Sequence, residues 1–205
     1  MMKKKLGIFV ISSLMALSSF VSSLPIKAND VNTNLVAYYN FDEGIQSSVG
    51  SLSAQLNGNV TRVDTKGVEK GALYFNKQAS SNFTVSQAIN ASSSFSIASW
   101  VKYEESNNDK VSLYQQNGSG RTLLYLTPSQ EYGSYIAGSD VMLGSSNHHN
   151  EYHHVVLTYN ASSKLLSCYL NGRLSQTQTI NGTIHNGITD LLIGGHKNGA
   201  QANAL

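Results

Sequence analysis

Ser94-Phe95-Ser96-Ile97-Ala98-Ser99-Trp100-Val101-Lys102 carries the clearest structural signal in the chain. Phe95, Ile97 and Val101 share one side of it, and Ser96, Ala98, Trp100 and Lys102 share the other. A repeat of two marks an extended strand with one buried face, because successive strand side chains point to opposite sides. The same pattern recurs outward from this stretch. Upstream it covers residues 35–41, 72–75 and 83–85. Downstream it covers 111–114, 122–126, 132–136, 154–159, 165–170, 174–180 and 191–193. Turn signals separate these runs: Asn57-Gly58, Asn117-Gly118, Asn171-Gly172, Asn181-Gly182 and Asn198-Gly199. Asn171-Gly172 predicts a two-residue hairpin, since both residues tolerate the positive φ that such a turn needs. Helical periodicity is nearly absent, and the connections are too short for helical crossovers. The sequence therefore predicts an all-β protein, a two-sheet antiparallel sandwich.

The chain has 205 residues, with 14 Lys+Arg, 12 Asp+Glu and one Cys. Residues 1–28 are read apart from the rest. A lysine-rich start (Lys3, Lys4, Lys5) leads into the apolar run 6–17 and then a small-residue stretch ending at Ala28. That order is the pattern of a secretory signal peptide, and the apolar run is short for a span of ~20 residues. The expectation is cleavage after Ala28, a secreted extracellular product of bacterial type, and one domain over 29–205. Without its leader the chain carries 10 basic and 12 acidic side chains. That slightly acidic balance excludes a basic nucleic-acid footprint. A single Cys excludes an internal disulfide.

With the strands in order, a resemblance becomes visible. Leu35-Val36-Ala37-Tyr38-Tyr39-Asn40-Phe41-Asp42-Glu43-Gly44, Gly71-Ala72-Leu73-Tyr74-Phe75-Asn76, the Ser94–Lys102 run, Tyr152-His153-His154-Val155-Val156-Leu157-Thr158-Tyr159, 166–172 and Leu191-Leu192-Ile193-Gly194-Gly195 follow one another as in bacterial laminin-G-like domains. These domains belong to the concanavalin A-like lectin/glucanase superfamily. The resemblance implies a jelly roll that often binds glycans and often accompanies a catalytic module. Three departures stand out. The loop after the first strand lacks its Asp, Tyr152 stands where a Trp is usual, and the terminal strand that packs beside the first is missing. The last departure predicts a C-terminally truncated domain, with an open edge beside 35–41 through which copies could associate.

Catalysis has little support. Retaining glycosidases place two carboxylates ~5 Å apart, and no acid–x–acid spacing falls on a predicted strand. Asp42-Glu43 and Glu104-Glu105 read as surface charge. His148-His149-Asn150-Glu151-Tyr152-His153-His154 is dense in metal-ligand types, but His153 and His154 face opposite ways on a strand. His153 shares the face of Val155 and is expected inside. The resemblance points to Asp42 as a ligand of a structural calcium ion. Its usual acidic partners are missing, so a calcium-independent melting temperature is expected. Sugars bind in water by stacking on flat aromatic faces. Trp100, with Tyr103, Tyr114, Arg121, Tyr125 and Tyr132 in the middle strands, is therefore the expected carbohydrate surface. Cys168, between Leu166 and Leu170 on one face, is expected to be a buried, inert thiol. The sequence-level reading is a secreted, non-catalytic carbohydrate-binding module. It is part of a larger glycan-processing or surface protein, and its partner is a glycan or cell-surface polysaccharide. A protein-binding or adhesion module of the same fold is the alternative, ahead of a glycoside hydrolase or polysaccharide lyase.

Overall fold

A computed structural model describes residues 34–64, 70–75, 81–90, 93–103, 110–116, 121–145, 150–182, 184 and 187–194. The proposed leader and the last eleven residues lie outside this set. Among the described residues there are thirteen strands and no helix. In chain order they are β1 (Ala54–Asn57), β2 (Val60–Val63), β3 (Ala72–Phe75), β4 (Asn82–Asn90), β5 (Phe95–Val101), β6 (Val111–Gln116), β7 (Arg121–Leu126), β8 (Glu131–Ile136), β9 (Ser139–Ser145), β10 (His153–Asn160), β11 (Leu165–Leu170), β12 (Arg173–Thr179) and β13 (Ile188–Ile193).

They form a seven-stranded sheet in the order β1-β4-β13-β6-β7-β8-β9 and a four-stranded sheet in the order β12-β11-β10-β5. A small ribbon pairs β2 with β3. Every pairing is antiparallel. The predicted all-β antiparallel sandwich is the fold observed.

The period-two pattern builds the interior of the four-stranded sheet. Ile97 and Val101 of β5, Val155, Leu157 and Tyr159 of β10, and Leu166 and Cys168 of β11 all lie in the core. The seven-stranded sheet answers with Phe83, Val85, Tyr114 and Leu191, among others. The centre of that sheet is buried on both faces. Neighbouring residues Leu113 and Tyr114 are both fully buried, as are Leu123 and Leu124. Continuous apolar runs rather than alternation mark such strands.

The Asn171-Gly172 hairpin joins β11 to β12 as expected, with φ of 49° and 79°. A second two-residue turn of the same hand, Ala137-Gly138 (φ 52° and 79°), joins β8 to β9. Ala gives no warning of a left-handed turn, and Asn or Asp would.

Residues 35–41 correct the reading. They are not a strand in any sheet of the described residues. Tyr39 and Phe41 nevertheless reach the core, with their rings 5.0 and 5.5 Å from Phe83. Hydrogen bonds at Tyr38 run to the next turn, where the Ser48 N–H donates to its carbonyl and its own N–H donates to Ser47 Oγ. The apolar alternation is satisfied by burial, and a ladder needs a neighbouring backbone as well.

Candidate functional site

The outward face of the four-stranded sheet is built by the residues that alternate with the core set. In β5 these are Ser96, Ala98 and Trp100, and in β10 they are His154, Val156 and Thr158. Trp100 pairs across the ladder with His154, and Val156 pairs with Tyr169, which in turn pairs with Leu174. A diagonal band therefore crosses the sheet from Trp100 through His154, Val156 and Tyr169 to Leu174. Trp100 and His154 rings lie 5.2 Å apart at an interplanar angle of 41°. Both are half-buried, and Leu174 is 56% exposed. Burial lowers the pKa of His154 from its usual value of 6.5, so the ring is neutral at pH 7. The band thus offers an indole face beside an uncharged imidazole that can donate and accept hydrogen bonds.

The tyrosines expected around Trp100 are elsewhere. Tyr103, Tyr114, Tyr125 and Tyr132 are all core residues, and none is more than 4% exposed. A ring with no exposed face cannot stack on a sugar. Each has a structural task instead. Tyr114 crosses between the sheets to share a hydrogen bond with Ser99, and burial pushes its hydroxyl pKa well up. Tyr132 shares a hydrogen bond with Nε2 of His153, which is buried as expected. Tyr125 donates to Asp140 at 2.9 Å, and the Lys110 ammonium sits 4.3 Å from its ring centroid. Tyr103 accepts the Asn150 N–H on its carbonyl at 2.9 Å. Arg121 opens β7, but its side chain lies outside the described residues. Tyr169 was not singled out in the sequence. Its signal is parity, since it lies one position from the buried Cys168 and so takes the face that Trp100 takes.

Asp42 is a brace within its loop. Its Oδ1 accepts the Gly71 N–H at 3.1 Å, and its Oδ2 accepts the Asn40 amide at 3.2 Å. The Arg62 guanidinium donates to the carbonyls of Phe41 and Asp42 and pairs with Asp64 at 2.5 Å. Calcium takes six to eight oxygens. Here a fixed cation already holds the neighbouring carbonyls. Among the described residues no three His, Cys, Asp or Glu side chains are grouped to hold a metal ion. The described residues around Asp42 do not fit a calcium site.

Other described carboxylates are also engaged. Asp140 holds Tyr125 and Lys110, Asp190 accepts the Gln87 N–H, and Glu131 accepts from Ser129. Glu104-Glu105 and His148-His149 lie outside the described residues. Cys168 is fully buried, and desolvation pushes its thiol up to about 12.

A cleft of about 670 Å³ runs along β5, between it and residues 36–42, and Trp100 is among the residues that line it. Tyr39, Phe41, Phe83, Ile97, Tyr114 and Leu191 line its floor.

Several solved structures share this architecture. Domain 4 of AbnA, a GH43 extracellular arabinanase from Geobacillus stearothermophilus in complex with arabinotriose, superposes with a TM-score of 0.61. It has 16% identity, over 82% of this chain and 87% of that one. The botulinum neurotoxin serotype D binding domain matches with a TM-score of 0.56 and 16% identity, over 77% of this chain and 42% of that one. A mutant of Trypanosoma rangeli sialidase displaying trans-sialidase activity matches with a TM-score of 0.59 and 21% identity, over 77% of this chain and 26% of that one. The chain thus spans less than half the length of the toxin and sialidase chains. At such identities the likeness is one of fold. No curated protein matches the sequence. Residues 76–204 match the laminin-G-type family described as the concanavalin A-like lectin/glucanases superfamily. With that match over most of the chain and the antiparallel sandwich beneath it, the chain belongs to the concanavalin A-like lectin/glucanases superfamily.

Proposed function

We propose that this protein is a secreted, non-catalytic module that binds carbohydrate on the outward face of its four-stranded sheet. The observation that carries this reading is the Trp100–His154 pair. It is an indole on a sheet surface, held at a fixed angle by a neutral imidazole across the ladder. Stacking of a sugar's apolar face on the indole excludes water from both, and a rigid ring loses little entropy on binding. His154 supplies a hydrogen-bonding group beside it, and Tyr169 extends the aromatic surface across the sheet. The engagement of Asp42, Asp64, Asp140, Asp190 and Glu131 in structural bonds supports a binding role over hydrolysis.

The test is a glycan array probed with the wild-type protein and with Trp100→Ala. Arabino-oligosaccharides and sialosides belong among the first probes, because two of the similar structures are named for those sugars. Saturable binding that disappears in Trp100→Ala, at an unchanged melting temperature, is the expected result. Binding that survives the substitution would move the site away from this face. Turnover of any glycan would overturn the non-catalytic reading.

A protein ligand on the same face is the second reading. Leu174 favours it, since an exposed aliphatic side chain at the end of the aromatic band suits a protein surface better than a sugar. Array silence together with capture of a protein through the Leu174 end of the band would favour that reading.

A further inference from the structure

The cleft along β5 is lined by every residue from Ser94 to Lys102, so both faces of the strand meet there. The inward side chains Phe95, Ile97 and Val101 join Phe41 and Phe83 in an apolar wall. On the outward side stands Trp100, the ring on which the sugar is placed. Among the described lining residues only Asp42 and Lys102 carry charge, and the Asp42 carboxylate is held by the Gly71 N–H and the Asn40 amide. The lip reaches solvent at Val36, Asn40, Ser93 and Ser94, all of them exposed. A volume of about 670 Å³ is that of a small-molecule site, and such sites are mostly apolar with a few polar groups at fixed places. A wall of this kind favours an uncharged apolar group. It penalises a hydroxyl-rich one, whose hydrogen bonds would go unmade. A bare sugar therefore suits the indole at the border, and an apolar group suits the cleft beside it.

We propose that the cleft receives the apolar aglycone, an alkyl chain or an aryl ring, of a glycoside whose sugar stacks on Trp100. The ligand class is then an amphiphilic glycoconjugate. This rests on the glycan reading of the outward face and adds the second half of the ligand. Trp100 is the joint, because it belongs both to the aromatic band and to the cleft. Each methylene moved from water onto the apolar wall adds to affinity. Affinity should therefore climb with the size of the aglycone until the cleft is filled.

The probe for the cleft is N-phenylnaphthylamine, an uncharged dye that brightens in apolar surroundings. The full chain is expected to bind it saturably. Octyl glucoside, kept below its micelle concentration, or phenyl glucoside should displace the dye at a concentration at least about tenfold lower than methyl glucoside does. The better of the two tells an alkyl from an aryl aglycone. Ile97→Phe narrows the cleft and should weaken the dye and the better glycoside together. Ile97 is buried, so Val36→Asp repeats the test at the exposed lip, where a carboxylate leaves the core untouched and should weaken both again. A dye that does not bind the folded protein, or a methyl glucoside that displaces it as well as both larger glycosides, would overturn the proposal. Octanol that competes as well as octyl glucoside would also overturn it, by removing the sugar and with it the glycan reading. Indifference to the aglycone, in contrast, removes the cleft alone.

Discussion

Trp100 is the only tryptophan in the chain, and its ring partner among the described residues is titratable. Protonation of His154 therefore places a charge against the one indole, and tryptophan emission should report it. Burial lowers the folded-state pKa of His154, so the unfolded chain takes up the proton more readily. Stability should thus be unaffected at pH 7–8 and fall as the pH drops below about 6.5 toward the folded pKa. The emission titration should have its midpoint below 6.5, and His154→Gln should remove it. A midpoint above 6.5 would contradict the burial of the ring. Cys168 gives a second check. With its thiol pushed up to about 12, it should not react with a disulfide reagent at pH 8 until the protein unfolds. Fast labelling of the native protein would show that β11 is not packed as described. Gly133 shows how tightly the seven-stranded sheet is closed. A Cβ there would lie 2.3 Å from Tyr125 Cζ, and that ring is itself buried. Gly133→Ala should destabilise by about 1–3 kcal/mol in chemical denaturation.

Strands with long runs of large apolar or β-branched residues were legible in the sequence, and so was the Asn171-Gly172 hairpin. Gly172 sits at φ 79° with open space around its α-carbon. Gly172→Ala therefore tests backbone conformation alone and should cost about 1 kcal/mol. β1, β2 and β9 were not legible. Their sequences, AQLN, VTRV and SDVMLGS, are short or polar, and they become strands because a neighbour supplies the ladder. Residues 35–41 fail in the opposite sense, with the pattern present and no strand pairing among the described residues. The tyrosines failed for a related reason. Alternation separates a wet face from a dry one only when a strand has a wet face, and the middle of the seven-stranded sheet has none. In the four-stranded sheet the rule holds, and there Trp100, His153 and Cys168 take the sides that parity predicts.

Across the whole molecule, the fold was readable because six weak segments occur in the right order, and their order survives where single motifs drift. The ligand was less readable, since this sandwich presents its outer surfaces to many kinds of partner. The calcium prediction rests on the chemistry of one corner. Arg62 holds the carbonyls of Phe41 and Asp42, so the melting temperature should be the same in excess calcium and in EDTA. A rise with calcium would require oxygens that the described residues do not group. The binding claim has a sharper probe in the lone indole. Titration of the folded protein with a glycan from the array, followed by tryptophan emission, should give a saturable change with the same dissociation constant as calorimetry. Calorimetric binding that leaves the emission of Trp100 untouched would contradict the account.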